Sequence, residues 1–226
     1  MGLRKSGKEK NKKGTVRTLI EQSQLIYFIA ASAALTLLPG PDILFVITQS
    51  ISQGKKAGIA TASGLSTGVL AHTTAAAVGV SALVYKSALA FEIVKYAGAA
   101  YLLYLAWHAL KESEELVSSA PFRETNTFAL YRRGIFMNVL NPKVALFFLA
   151  FLPQFVNIDS GNVPMQMIFL GIIFMVQAWL IFFAVSVFAG TVGERIIQKP
   201  GVGRYINWGK AGIFTFIGIK LALTHK

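Results

Sequence analysis

Six long apolar segments run along the chain, separated by shorter polar stretches. Two of them contain no Asp, Glu, Lys or Arg, and the other four carry only isolated charges. The segments are residues 25–51, 57–84, 88–110, 135–155, 165–192 and 206–223. A run of about 18 or more apolar residues crosses a bilayer as a helix, because a helix satisfies its own backbone polar groups in lipid. The pattern predicts an all-α integral membrane protein with about six transmembrane helices.

A polar stretch, residues 111–133, divides these segments into two groups of three. We predict a basic disordered or juxtamembrane tail at 1–22 and a single transmembrane domain at 23–226, with halves at about 23–110 and 134–226. The first segment of each half is interrupted by a proline that a charged residue follows. Because three is odd, two such halves insert with opposite orientation, as in transporters whose broken helices meet near the midplane. The sequence therefore predicts two three-helix inverted repeats, with the first helix of each half broken at proline.

The first segment is broken at Pro39-Gly40-Pro41-Asp42, and two paths of the chain are consistent with this break. A kinked first helix gives six crossings, and a re-entrant hairpin gives five crossings plus the hairpin. The loops after the first, third and fifth segments are basic, as is the tail, and basic loops favour the cytoplasmic side. Six crossings place the tail opposite those loops, whereas the hairpin places all of them on one side. The sequence leaves both paths open, and with them the side of the N-terminus.

Composition narrows the class of protein further. The chain is 54% hydrophobic and 14% charged, whereas soluble domains average roughly a quarter charged residues. The net charge of +12 is concentrated in the tail and short loops, where it favours contact with anionic lipid and not with nucleic acid. The chain has no cysteine and three widely separated histidines, which excludes thiol chemistry and disfavours a metal site. No hydrolase or metalloprotease motif is present, so we predict neither an enzyme nor a bound cofactor.

The two breaks carry the strongest candidates for a binding site. Pro41 and Pro142 suit the first position of a helix, since the N–H that proline lacks would be unpaired there. Asp42 and Lys143 follow these prolines, and Asn141 can cap the second helix. An ionised side chain at membrane depth costs about 2.5 to 3.5 kcal/mol on insertion scales, so it is a functional candidate by default. The pattern predicts two half-helix N-termini of opposite charge that face one cavity, with Pro39 and Gly40 in the first break.

Other polar residues inside the apolar segments are weaker candidates. His72 lies in the charge-free second segment, where an imidazole relays protons or bonds a neighbouring helix. Gln49 and Asn138 could bind a polar substrate or make hydrogen bonds between helices. Glu92 and Lys95 are three residues apart, which predicts a local ion pair on one helix face.

Several motifs, in this order, resemble the LysE/RhtB family of bacterial amino-acid exporters. They are LLPGPD at 37–42, GKKAG at 54–58, KYAGAAYL at 95–102, NVLNPK at 138–143 and FLPQF at 151–155. The resemblance covers the chain from about residue 25 to its end, and only the basic tail departs from it by its length. It implies a multi-pass protein of the bacterial inner membrane that exports lysine, arginine, homoserine, threonine or a related compound, driven by protons or the membrane potential.

These expectations can be joined into a mechanism in which Asp42 binds the ammonium of an amino acid or exchanges a proton for it. Lys143 and the half-helix N-termini then meet the carboxylate. The alternative is a channel-like pore for small solutes, which the charge-free second and fifth segments disfavour. The predicted partners are an amino-acid substrate and the lipid bilayer. The sequence leaves open the identity of the amino acid, the coupling ion and whether the chain forms a homo-oligomer.

Overall fold

The computed structural model describes residues 22–80, 88–111, 126–158, 161–193 and 202–223. Regular structure in these ranges is helical throughout, with no strand. The α-helices are α1 Gln22–Leu37, α2 Pro41–Gln53, α3 Lys55–Ala75, α4 Ala88–Lys111, α5 Thr127–Val139, α6 Pro142–Leu146, α7 Val163–Phe188 and α8 Val202–Leu223. Wider π turns extend three of them, at Ala76–Val80 after α3, Phe147–Phe151 after α6 and Ala189–Gly193 after α7. A 3₁₀ turn, Leu152–Phe155, follows the π turn after α6.

Each of the six apolar segments is helical where the structure describes it, and both predicted breaks are present. The first pair of helices, α1 and α2, is bent by 56°, and the second pair, which begins with α5 and continues from Pro142 to Phe155, is bent by 48°. Helix α5 begins at Thr127, earlier than the predicted start of the second half at 134, because the Asn126 side chain caps it by accepting from the Phe128 N–H at 2.9 Å. The predicted tail lies outside the described residues except for Gln22, which begins α1.

One described helix, Val163–Thr191, is by itself long and apolar enough to cross a membrane. The number of such spans rises to three if each bent pair is one crossing. Over its described residues, helix α3 is not long and apolar enough to cross a membrane by itself. Part of the predicted segment 57–84 lies outside the described residues. The outward face of α7 carries exposed apolar side chains, which suits contact with lipid acyl chains. They include Ile168, Phe169, Ile172, Val176 and Leu180.

Helix α3 packs between α5 and α7, and α4 packs along α8. The backbones of α3 and α5 approach closely at two glycines. A Cβ on Gly64 would overlap the carbonyl oxygen of Tyr131, and a Cβ on Gly134 would lie 2.7 Å from the Thr61 oxygen. Small residues allow this close approach, which is how membrane helices commonly pack. The contact brings the C-terminal end of α5 beside the C-terminal half of α3.

The predicted local ion pair on α4 is confirmed, with Lys95 Nζ 2.9 Å from Glu92 Oε1. The Lys95 side chain is 1% exposed and the Glu92 side chain 45% exposed. Gly98, one turn further along α4, lies against Ala150. Lys95 is therefore buried where α4 contacts its neighbours, and neither residue of the pair lines the cavity described below.

Candidate functional site

The two helix breaks have the local geometry that the sequence predicts. Pro41 and Pro142 occupy the first turns of α2 and α6, and the acidic Asp42 lies in the first turn of α2. The side chain of Asn141 caps α6 by accepting from the Lys143 N–H at 2.9 Å. Proline is tolerated at these positions because its missing N–H would have no partner in the helix. Asp42 and Lys143 line one cavity, so the tertiary structure brings the two breaks together.

Asp42 is a buried carboxylate with one oxygen left open. The residue is 3% exposed, and its Oδ2 accepts from Asn138 Nδ2 at 3.0 Å. Its Oδ1 has no hydrogen-bond partner among the described residues. The position in the first turn of α2 favours a negative charge, because the unpaired N–H groups of that turn are electropositive. A donor brought by a ligand can therefore bind at Oδ1.

Lys143 binds the end of α1 across the break. Its Nζ donates to the carbonyl oxygens of Leu35 and Leu38, both at 3.2 Å. In an unbroken helix the Leu35 oxygen would accept from residue 39, but that residue is a proline and has no N–H. A cation at a helix C-terminus also offsets the partial negative charge of its last carbonyls. Lys143 thus stabilises the interruption of α1 from the other half of the chain.

Gly40 leaves room for the lysine head group beside the first break. A Cβ at this position would lie 3.2 Å from Lys143 Nζ and 3.7 Å from its Cε. An alanine here would therefore require the ammonium to shift by a few tenths of an ångström relative to the two carbonyls it binds. This contact gives Gly40 a reason to be a glycine that the motif alone does not supply.

The second break is bound in the same way, by His72 of α3. Pro142 cannot donate to the Asn138 carbonyl four residues earlier. That oxygen instead accepts from His72 Nε2 at 2.9 Å and from the Asn141 N–H at 2.9 Å. Because a carbonyl oxygen only accepts, Nε2 of His72 carries its hydrogen. Each break therefore has a carbonyl that proline leaves unpaired and a basic side chain from another segment that binds it.

Asn138 connects the two breaks, and the sequence did not distinguish it from other intramembrane amides. Its side chain donates to Asp42 and its main chain accepts from His72. It is 2% exposed, and Gly68 of α3 leaves space for it, since a Cβ there would lie 2.8 Å from Asn138 Cβ. The one sequence feature that could have indicated this role of Asn138 is its position three residues before Asn141, in the same broken segment.

Gln49 is a predicted site residue that does not line the cavity, as is also true of His72, Pro39, Gly40, Pro41, Asn141 and Pro142. It is buried on the same face of α2 as Asp42, and its Oε1 accepts from Gln53 Nε2 at 2.7 Å. Seven residues of helix separate it from Asp42, which is about 10 Å at 1.5 Å per residue. Its position supports a role in helix packing.

The cavity between the breaks has three polar residues besides Asp42 and otherwise apolar walls. The cavity is narrow in this conformation, with a volume of about 10 Å³, which is room for about one water molecule. The polar residues are Thr36, Asp42, Asn138 and Lys143, and the apolar residues are Leu35, Val69, Val144, Phe174, Ala178 and Phe182. A cavity that is mostly apolar with a few convergent polar groups is typical of sites for small molecules.

We expect Lys143→Met to lower the stability of the protein in the absence of any ligand. The change leaves the carbonyls of Leu35 and Leu38 without this donor, and an unsatisfied buried acceptor costs about 1–3 kcal/mol. The measurement is the midpoint of thermal aggregation of the purified protein in detergent. Lys56→Met is the control, because Lys56 is exposed in the first turn of α3. Equal midpoints for the two variants would contradict the role of Lys143 at the end of α1.

Comparison with known proteins identifies the family. The model of the LysE type translocator family matches residues 33–225. The chain belongs to this family. The match covers both breaks and all the described helices apart from residues 22–32 of α1, and it confirms the resemblance that the motifs indicated. The protein is accordingly a membrane translocator and not an enzyme.

Named relatives of this translocator come from several bacteria. The "Homoserine/homoserine lactone efflux protein" of Salmonella typhimurium is 30% identical over 198 residues, which cover 86% of this chain and 94% of the relative. An "Uncharacterized membrane protein" of Vibrio cholerae serotype O1 is 29% identical over 195 residues, with the same two coverages. The "Uncharacterized membrane protein YrhP" of Bacillus subtilis is 32% identical over 171 residues, or 70% of this chain and 80% of the relative. No solved structure matches the chain significantly.

Proposed function

We propose that this translocator is a secondary transporter that exports an amino acid or a close derivative across the bacterial inner membrane. The observation that carries the proposal is the buried carboxylate of Asp42, whose Oδ1 lacks a partner among the described residues and whose cavity also contains Lys143. An amino acid presents an ammonium and a carboxylate, so it complements the two charges. The name of the Salmonella relative, an efflux protein for homoserine and homoserine lactone, supports the same class of substrate.

In this proposal the ammonium of the substrate binds Asp42, and the carboxylate lies toward Lys143. Asn138 orients Asp42, and His72 holds Asn138 in place through the carbonyl of the second break. Pro39, Gly40, Pro41, Asn141 and Pro142 make the two breaks and so place these side chains. Competition between proton and ammonium at Asp42 would couple export to proton entry.

We further propose that the chain crosses the membrane six times as two inverted three-helix repeats. The packing supports this arrangement, since α1 of the first half packs on α7 and α5 of the second half packs on α3. If each half is put in the place of the other, the contact of α1 with α7 becomes the contact of α5 with α3, as a repeat requires. The bend of 56° between α1 and α2 favours a kinked crossing, because a re-entrant hairpin has to reverse the direction of the chain.

Counterflow in proteoliposomes tests the proposed function against a pore. Vesicles that contain the purified protein and unlabelled L-homoserine are diluted into labelled L-homoserine, and the experiment is repeated with each of the twenty proteinogenic amino acids. A transporter with alternating access is expected to accumulate label transiently above its equilibrium level, whereas a pore only equilibrates it. Protein-free vesicles are the control. Equilibration without overshoot for a permeating amino acid would favour the pore, and no uptake of any compound would refute the proposed function.

A further inference from the structure

We infer that the cavity opens along the seam between α2 and the C-terminal end of α7, on the side of the breaks that faces the basic loop at Lys55. The seam is the contact of residues 46–53 of α2 with residues 182–193, which are the end of α7 and its π turn. A route is needed because the cavity, at about 10 Å³, holds about one water molecule. The inference rests on the translocator family and not on the proposed substrate, since any cargo has to reach the cavity.

The opposite side of the breaks is closed by a cluster of buried phenylalanines. Helix α1 lies on that side of the first break and the turns 147–155 lie on that side of the second, and the two pack on each other. Neighbouring rings of the cluster have centroids 5.0 to 6.1 Å apart. The cluster consists of Phe28, Phe147, Phe148, Phe151, Phe155 and Phe174. Opening here would separate large apolar rings that are packed against one another, which is costly.

The seam is built from much smaller residues. A Cβ on Gly58 of α3 would overlap the Ser50 side chain and would lie 3.1 Å from Ser186 Cβ, so these three residues meet at one point. Nearby, a Cβ on Gly190 would lie 3.1 Å from the backbone nitrogen of Lys55. Small side chains bury little apolar area, and the free energy of burial follows that area. Separating the seam therefore costs less than separating the phenylalanine cluster.

The hydroxyl groups of the seam bond within their own helices. Ser50 Oγ donates to the Val46 carbonyl at 2.7 Å. Ser186 Oγ donates to the Phe182 carbonyl, also at 2.7 Å. Both bonds survive when α2 moves away from α7, because neither joins the two helices. Serine side chains also suit a surface that water reaches once the seam is open.

Two glycines flank α2 and allow it to move as a unit. Gly40 precedes the helix in extended backbone, and Gly54 follows it with φ of 83°, a conformation that glycine adopts without strain. Hinges are a few residues at the ends of elements that absorb such changes in φ and ψ. Phe182 lines the cavity one turn before Ser186, so its ring separates the cavity from the seam. Movement of α2 at the two glycines lets this ring turn away and joins the cavity to the water beyond Lys55.

Cysteine labelling tests the route without any substrate, because the chain has no cysteine of its own. Ser50→Cys and Ser186→Cys probe the seam, and Ser32→Cys on α1 is the matched control, since all three serines are 0% exposed. Lys56→Cys, exposed in the first turn of α3, marks the membrane face on which the basic loop lies. A membrane-impermeant maleimide is applied to inside-out and to right-side-out vesicles.

We expect the two seam cysteines to be modified from the same face as Lys56→Cys. They should react at least about 10-fold faster than Ser32→Cys, because different parts of a protein open with different free energies. Seam cysteines that react no faster than Ser32→Cys would overturn the inference. So would seam cysteines that react from the face opposite to Lys56→Cys.

The labelling outcome is separate from the fate of the proposed function. Modification needs no transport, so a failure of counterflow refutes the proposed function and leaves the labelling test in force. Where counterflow is observed, full modification of Ser50→Cys is expected to slow it at least about 10-fold, because the adduct obstructs a gating movement. Modified Lys56→Cys should keep its rate. An unchanged rate for modified Ser50→Cys would overturn the inference and leave the proposed function standing.

Discussion

Asp42→Asn is expected to reduce export of the substrate by about 30-fold or more while the protein remains folded in the membrane. Removing one member of a buried, hydrogen-bonded charge pair costs about 2–5 kcal/mol, and every 1.4 kcal/mol is a factor of ten in affinity. The asparagine keeps the size of the side chain and still lines the cavity, but it has no charge for an ammonium. The measurement is the initial rate of counterflow, normalised to the amount of protein incorporated into the vesicles.

Two further variants make this result interpretable. Ser52→Ala is the control on the same helix, because Ser52 is exposed and its hydroxyl donates to the Thr48 carbonyl away from the cavity. It should transport at the normal rate. Asp42→Glu restores the charge on a longer side chain and should recover part of the activity. A normal rate for Asp42→Asn would show that the carboxylate takes no part in transport.

Gly64→Ala is expected to destabilise the protein and to abolish export, although Gly64 is remote from the cavity. A Cβ at this position would overlap the Tyr131 carbonyl oxygen and lie 2.8 Å from the carbonyl carbon. Backbone atoms of α5 cannot rotate away as a flexible side chain can, so α3 and α5 have to separate. Overpacking of this kind typically costs about 1–3 kcal/mol and occasionally more. Separation would also move Asn138 away from Asp42 and His72.

Gly212→Ala is the matched control for this prediction. Gly212 lies within α8, and a Cβ there would meet nothing within 4 Å among the described residues. Alanine is favoured over glycine inside helices by roughly 0.5–1 kcal/mol, so this variant should be at least as stable as the parent. Thermal midpoints in detergent and counterflow rates are measured for both variants. A Gly64→Ala protein with the midpoint and rate of Gly212→Ala would contradict the close packing of α3 on α5.

The fold class and the two breaks could be predicted because their signals are local. A run of apolar residues long enough to cross a bilayer can be recognised within one segment of the chain. The Pro-Asp and Asn-Pro-Lys sequences inside such runs can be recognised from a few residues. The position of Pro41 and Pro142 in the first turns of their helices follows from the chemistry of proline, and the structure confirms it. The same reasoning predicted Gln49 as a site residue. The structure places Gln49 outside the cavity lining, because burial on one helix face does not say which part of that face borders a cavity.

The partners of the polar side chains depended on contacts between distant parts of the chain. Asn138 binds Asp42 across 96 residues, His72 binds the Asn138 carbonyl across 66, and Lys143 binds the Leu35 carbonyl across 108. Sequence spacing carries no information on pairs so far apart. The sequence could identify Lys143 as a buried charge. It could not show that the carbonyls of Leu35 and Leu38, at the end of α1, would accept most of the hydrogens of Lys143.

The sequence alone predicted a helical membrane translocator with two broken helices, one carrying Asp42 and the other Lys143. It could do so because hydrophobicity and proline chemistry act within one segment. The tertiary structure decided which end of the cavity is open to a ligand. Packing of α5 on α3 brings Asn138 to Asp42, and the break in α1 supplies the carbonyls that bind Lys143. In a medium without water each unpaired buried group has to find a partner in the protein. Asp42 Oδ1 has no hydrogen-bond partner among the described residues, and we propose that a substrate ammonium binds there.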